Sequence, residues 1–193
     1  IYHTVPHVTD RVDIWLDPWS QYEGKGYQPA QAMFAFANGG TAGTGLGLGN
    51  PSKIPAASTD YVFAAIGEEM GLIGATAVII AFLLLLGAGL RVAVRADRPF
   101  EKLLATGLTT IISMQAFIII GGVLRLVPLT GITLPFVSYG GSSLLANYIL
   151  LALLLRISDS GARRRGETPD ELTISERMEA RRLRRAERKA ARA

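Results

Sequence analysis

The residues from Met70 to Leu90 carry no charged side chain. Wound as a helix at ~1.5 Å per residue, a run of about twenty residues reaches across the ~30 Å hydrocarbon core of a bilayer. Leu103–Leu124 is a second uncharged run and Leu126–Leu155 a third. The third is not one simple helix, because Pro128, Gly131 and Pro135 interrupt its first part. A helix is expected only from about Val137. The segment before it, VPLTGITLPFVSYGG, reads as a loop at the membrane surface or dipping into it. Irregular backbone at that depth needs protein or water around it. The expected fold class is therefore an all-α polytopic membrane protein with three transmembrane helices.

Charge placement orients these spans. Arg91, Arg95, Arg98 and Lys102 lie between the first two, and Arg156, Arg163, Arg164, Arg165 and RRLRRAERKAAR follow the third. The opposite side holds only Arg11, Lys25, Lys53 and Arg125. The positive-inside rule places the basic loop and tail in the cytoplasm. The expected division is an outer loop with a short amphipathic helix at 1–60, a span at 61–90 and a cytoplasmic loop at 91–102. A span at 103–124, an outer or re-entrant loop at 125–136, a span at 137–157 and a basic cytoplasmic tail at 158–193 follow. The end of that tail, SERMEARRLRRAERKAARA, suits either a basic helix on anionic lipid or a solvated anchor.

Composition excludes several chemistries. There is no cysteine, and the two histidines, His3 and His7, both stand near the start. A zinc cluster, a cysteine nucleophile and a Ser-His-Asp triad are thereby set aside. Mean hydropathy is +0.30, high for a water-soluble domain. The chain opens on Ile1 without a signal-peptide pattern, and it reads as a piece of a longer protein.

In the outer segment, QPAQAMFAFANGG carries Ala30, Met33, Phe34 and Ala37 at helical spacing and ends in a glycine stop. The Trp and Tyr residues of RVDIWLDPWSQYEGKGY suit a membrane interface. GTGLGLGNPSKIP lacks both the Gly-Lys-Ser/Thr of a phosphate loop and the strand–helix context of a dinucleotide fold. A flexible exposed loop is expected there, and no nucleic-acid or nucleotide binding. Asp60, in STDYVFAAIGEEMG, reads most simply as an N-cap. Glu68 and Glu69 should face protein or water, and Gly67, Gly71 and Gly74 suit tight helix packing.

The ordered segments RVDIWLDPW, GYQPAQAMFAFANGG, GTGLGLG, IPAASTDYVFAAIGEEMGLIG and LTGITLPFVSYGGSSLLANYILLALLLRI resemble the SEDS family (shape, elongation, division and sporulation) over about Arg11–Ile157. The SYGGSSLLANY wording and the basic tail are most similar to its actinobacterial rod-shape members. The resemblance implies a fold of about ten transmembrane helices, of which this chain would supply the last three and a large extracellular loop. It implies a peptidoglycan glycosyltransferase that joins lipid II units into glycan strands in cell elongation or division. A class B penicillin-binding protein, lipid II, the membrane and other elongation or division proteins are the implied partners.

The family's essential acid falls at Asp60, with Tyr61 where Phe is common. Arg11, Lys25 and Lys53 become candidates for the diphosphate, Arg125 a lesser one. Ser138 and Tyr139, in LPFVSYGGSS, become candidates for lining the cavity. No cofactor is called for, although a divalent cation, Mg or Mn, is compatible; its ligands are unknown. Family acids and lysines found elsewhere are replaced here by Ser52 and Thr130. Two other readings compete: a flippase or transporter of the lipid-linked precursor, and a non-catalytic scaffold for a penicillin-binding protein. The isolated piece is expected to be inactive.

Overall fold

The computed structural model describes residues 6–164. Within them five helices are present, α1 (Pro6–Leu16), α2 (Tyr27–Gly39), α3 (Val62–Arg95), α4 (Pro99–Val123) and α5 (Gly141–Arg164). Short 3-10 turns at Trp19–Gln21 and Pro51–Lys53 punctuate the loops, and no strand occurs among the described residues. The helices α3, α4 and α5 are long and apolar enough to cross a membrane. Most of their length is not buried inside the fold, and Leu83, Leu84, Leu103, Phe117 and Leu145 are widely exposed. In lipid such a surface costs nothing, which in water it would. The chain is a membrane protein.

The α3 and α4 helices pack against each other as antiparallel neighbours joined by the short turn around Asp97. Gly89 lies against the side chain of Thr109, whose hydroxyl is bonded back to the Ala105 carbonyl at 2.7 Å. Higher up, Val78 and Phe82 pack on the cluster of Ala116, Ile119 and Leu134. Arg98 is extended and Pro99 occupies the first turn of α4, as a proline without an N–H favours. Residues to Ile157 form one compact unit, and Ser158 onward forms another. In the latter, the last turns of α5 are closed by the Arg163–Asp159 pair. The basic segment expected to lie on lipid falls outside the described residues.

The α3 helix is broken. Gly71 has φ 64° and ψ −163°, so the helical hydrogen bonds cannot run through it. The glycine-rich loop supplies the missing partners. Thr44 and Gly45 donate their N–H groups to the Glu68 and Glu69 carbonyls, both at 3.0 Å. In return, Leu72 and Ile73 donate to the Gly40 and Thr41 carbonyls at 2.9 and 3.2 Å. Four backbone groups at the break are thus paired with protein rather than water, as a membrane-depth break requires. The contact is too close for side chains. A Cβ on Gly71 would lie 2.4 Å from the Gly43 nitrogen, and one on Gly43 would lie 2.2 Å from the Glu69 carbonyl oxygen. The loop expected to be flexible is thus pinned along Gly40–Gly45, and its exposed part is the tip carrying Leu46 and Leu48.

The helix α2 presents a different face from the one its spacing suggested. Ala30, Ala32, Ala35 and Gly39 are buried, Phe34 and Ala37 are exposed, and Met33 is half-buried. Close approach decides this, since Gly39 sits on the backbone of Gly67 and only small residues fit. Phe34 instead meets Trp19 edge-on at 5.8 Å between ring centres. The α5 helix begins at Gly141 because the residues before it are held by the Asp60 loop, the Tyr139 N–H donating to the Ser58 carbonyl.

Candidate functional site

A tight loop delivers Asp60. Ala56 takes a left-handed conformation (φ 59°), and its carbonyl accepts the N–H groups of Thr59, Asp60 and Tyr61 at 3.1 to 3.2 Å. The side chain of Ser138 bridges this loop to the α4–α5 connection. Its hydroxyl donates to the Thr59 carbonyl at 2.5 Å and accepts the Leu134 N–H at 2.8 Å. One residue on, the Tyr139 N–H donates to the Ser58 carbonyl at 2.8 Å. Ser138 is buried and Tyr139 is widely exposed, and both act on the Asp60 loop through these bonds rather than by lining the pocket below.

Asp60 is not the N-cap that its sequence context suggested. Tyr61 occupies the cap position of α3 and no side chain caps the helix. Among the described residues no donor is bonded to the Asp60 carboxylate. The reason is the Ala56 turn, which absorbs the loop's own N–H groups and leaves Asp60 turned toward a cavity of about 580 Å³.

Arg11, Trp15, Lys25, Asp60, Tyr61 and Arg125 meet in that cavity. Arg11 reaches in from α1 and donates to the Leu129 carbonyl at 2.5 Å. Gly131, at φ 71°, faces both charges. A Cβ there would lie 3.5 Å from the Asp60 Oδ2 and 3.7 Å from an Arg11 amino nitrogen. Lys25, at the foot of α2, is paired with Asp10. Arg125, also left-handed (φ 60°), donates to the Trp15 and Leu16 carbonyls at 2.6 and 3.2 Å and so closes the C-terminal end of α1. Its Nε is buried with no partner among the described residues. Just ahead of α3, burial pushes the Tyr61 phenol well above its ordinary value; Asp60 adds to the rise and Arg11 opposes it. Tyr61 is therefore a neutral wall beside the carboxylate.

Lys53 lies elsewhere. It is exposed at the rim of a separate cleft of about 30 Å³ with Gln31, Asn38, Asn50 and Glu68. Glu68 is buried there against protein, as a carboxylate near lipid should be. Trp15, Tyr61 and Gly131 were missed as site residues by sequence reasoning. Only the glycine in LTGITLP offered a signal, as a position open to positive φ. The donor set does not fit a protein-held divalent ion. Among the described residues no three His, Asp or Glu side chains converge, and Asp60 is the one carboxylate lining the cavity.

The arrangement is a carboxylate with no bonded partner among the described residues, sharing its cavity with three cations at the mouth of membrane-crossing helices. Comparison with known proteins gives it a context. The family described as "Cell cycle protein", comprising FtsW, RodA and SpoVE, matches residues 1–163. This chain belongs to that family. It is 55% identical over 163 residues to the peptidoglycan glycosyltransferase RodA of Mycobacterium tuberculosis strain H37Rv, covering 84% of this chain and 34% of the relative. The probable peptidoglycan glycosyltransferase FtsW of Geobacter sulfurreducens (strain DL-1 / KN400) is 42% identical over 150 residues, 77% of this chain and 40% of the relative. The stage V sporulation protein E of Bacillus subtilis is 39% identical over 157 residues, 80% of this chain and 43% of the relative. Among solved structures, a chain from "Structural coordination of polymerization and crosslinking by a peptidoglycan synthase complex" matches with TM-score 0.68 and 29% identity. That match covers 82% of this chain and 44% of the other. The cell cycle family chain described here thus spans between about a third and under half of the relatives it matches.

Proposed function

We propose that this chain is the Asp60-bearing part of a peptidoglycan glycan-strand polymerase. In the reaction the 4-hydroxyl oxygen of an acceptor sugar forms a bond to the anomeric carbon of a lipid-linked donor. The bond from that carbon to the diphosphate oxygen breaks, its electrons leave with the polyprenyl diphosphate, and the hydroxyl proton passes to the Asp60 carboxylate. The observation that carries this reading is the Asp60 carboxylate, bonded to no donor among the described residues, sharing one cavity with Arg11, Lys25 and Arg125.

A general base must be free to take a proton, and a carboxylate used up as a helix cap would not be. Fixed cations beside the departing diphosphate stabilise the charge that develops there. An anion drawn against Arg125 also offsets the burial of its guanidinium. A magnesium or manganese ion belongs, on this reading, to the substrate diphosphate. Ser138 and Tyr139 serve the reaction by holding the Asp60 loop, and Lys53 has no part in the chemistry.

The basic residues of the α3–α4 turn and of the C-terminal tail support a cytoplasmic C-terminus, with Asp60 on the outer face of the cell membrane. The relatives' names support a peptidoglycan glycosyltransferase, and lipid II is the substrate proposed for it, in cell elongation or division. The solved complex supports a class B penicillin-binding protein as partner.

The test is polymerisation of purified lipid II by the full-length parent with its penicillin-binding partner, wild type against Asp60→Asn at equal folded protein. Long glycans from the first and none from the second are expected. Equal products would remove Asp60 from the chemistry. No product from either, with lipid transfer across vesicles intact, would favour a flippase.

A further inference from the structure

Two amide side chains stand inside the membrane-crossing helices, Gln115 on α4 and Asn147 on α5. At ~1.5 Å per residue, Gln115 lies about 12 Å inward from the Val123 end of α4, and Asn147 about 9 Å inward from the Gly141 start of α5. Gln115 is half-buried and Asn147 is buried. Neither bonds directly to the other helix. The Gln115 Nε2 donates to the Thr133 carbonyl at 2.8 Å. The Asn147 Nδ2 donates to the Ser143 hydroxyl at 3.3 Å, and that hydroxyl is bonded to the Thr133 hydroxyl at 2.6 Å. Both amides thus converge on Thr133, in the irregular connection between the two helices.

Thr133 stands between the two features that frame Asp60. Two residues before it is Gly131, which faces the Asp60 carboxylate and Arg11. One residue after it is Leu134, whose N–H donates to the Ser138 hydroxyl, which in turn donates to the Thr59 carbonyl. A continuous path therefore runs from Gln115 through Thr133, Leu134 and Ser138 to the residue before Asp60.

We propose that Gln115 is a positioning residue for Asp60, fixing from within α4 the connection that holds the Asp60 loop, with Asn147 bracing the same point from α5. The kinetic consequence rests on the polymerase reading, and the mechanical coupling does not. Two observations favour positioning over simple helix packing. The contact between α4 and α5 is apolar and lies elsewhere, where Leu108 and Leu154 share one cluster. The connection is also strained, since Phe136 takes a left-handed conformation (φ 63°) between the bonded points Leu134 and Ser138. Such backbone keeps its shape only where its surroundings fix it, and the bonds to Thr133 and Leu134 do so. Magnitudes separate the two roles. One polar contact inside a bilayer contributes little to stability. Displacing a reacting group by about 1 Å costs about a hundredfold in rate.

The test uses the full-length parent in its complex with the penicillin-binding partner. Gln115→Met keeps the side-chain length and removes the donor. Its kcat should fall about ten- to a hundredfold, while its melting temperature stays within about 2 °C of wild type. The KM for lipid II should not change, because Arg11, Lys25 and Arg125 keep their places in the cavity. Asn147→Leu should show the same split at smaller amplitude. Met114→Leu, at the neighbouring exposed position, should change nothing. An unchanged kcat in Gln115→Met, a loss of kcat matched by a loss of melting temperature, or a rise in KM in place of the fall in kcat would overturn the proposal. Should Gln115→Met not fold, Gln115→Asn keeps an amide one methylene short of Thr133 and carries the same expectation.

Hydrogen exchange read by mass spectrometry on the same samples tests the path itself. The Thr59, Asp60 and Tyr61 amides, bonded to the Ala56 carbonyl, should exchange about tenfold faster in the Gln115 variant. Faster exchange confined to 131–139 overturns the proposal, since the connection then loosens without the Asp60 loop. Exchange involves no turnover, so it judges the coupling even if the Asp60→Asn comparison sinks the polymerase reading.

Discussion

The indole N–H of Trp15 donates to the Arg125 carbonyl at 2.8 Å, while the Arg125 guanidinium donates to the Trp15 carbonyl at 2.6 Å. The two residues stand 110 positions apart in sequence. This reciprocal pair ties α1 to the turn after α4, and with it the cation-bearing wall of the cavity to the loop that carries Gly131. Arg11, bonded to the Leu129 carbonyl, strengthens the same seam.

Trp15→Phe keeps the aromatic ring and removes one donor. Its expected cost in the full-length parent is about 0.5–1.5 kcal/mol. Arg125→Ala removes the other half, leaves the α1 carbonyls uncapped, and should cost about 1.5–3 kcal/mol. Thermal unfolding in detergent, with the double variant completing a cycle, measures the coupling. Additive losses would show that the two bonds are independent.

Asp60→Asn should leave thermal stability unchanged within about 0.5 kcal/mol, because among the described residues no donor is bonded to the carboxylate. Glycan synthesis should fall about 10²–10⁴-fold, the range for loss of a general base. A helix cap would behave the other way, losing about 1 kcal/mol of stability on substitution. The two measurements on one protein sample separate the roles.

Ser138→Ala strands the buried Leu134 N–H and the Thr59 carbonyl, at an expected cost of about 1–3 kcal/mol. Activity should fall with it as the Asp60 loop loosens. Tyr139→Phe should change neither, since the Tyr139 side chain is 76% exposed and its backbone N–H makes the contact with Ser58. Melting temperature and turnover for the two variants check this contrast.

Gly71→Ala combines a positive φ with a Cβ 2.4 Å from the Gly43 nitrogen, and neither chain can yield because both are backbone. The strain alone is about 1–3 kcal/mol. Folded protein recovered from membranes should fall sharply for Gly71→Ala and for Gly43→Ala. Gly87→Ala, where nothing lies within 4 Å, serves as the control and should be silent.

Lys25→Met should raise the KM for lipid II about three- to tenfold, whereas Lys53→Met should leave it unchanged, because Lys53 borders the Glu68 cleft and not the Asp60 cavity. Steady-state kinetics at low ionic strength make the comparison. Equal effects would mean that the rest of the parent protein folds Lys53 toward the substrate.

What the sequence determined by itself was that the chain carries three segments able to cross a bilayer. Hydropathy and net charge add up along a stretch of chain, so the three uncharged runs and the basic segments between and after them could be read without knowing a single contact. Pro128, Gly131 and Pro135 likewise marked an irregular connection, since their effect is on their own backbone. The prominence of Asp60 came from its motif, not from physics. Its neighbours were decided only by tertiary structure. Whether a carboxylate caps a helix depends on where nearby N–H groups point, and the left-handed turn at Ala56 took them first. Lys25 and Lys53 look alike in sequence, yet one shares the Asp60 cavity and the other does not. The break at Gly71 was hidden in an uninterrupted apolar run, because what permits it is a set of hydrogen bonds from a loop about thirty residues away. Pairings of this kind arise from the approach of distant backbones, which no local property of the chain encodes.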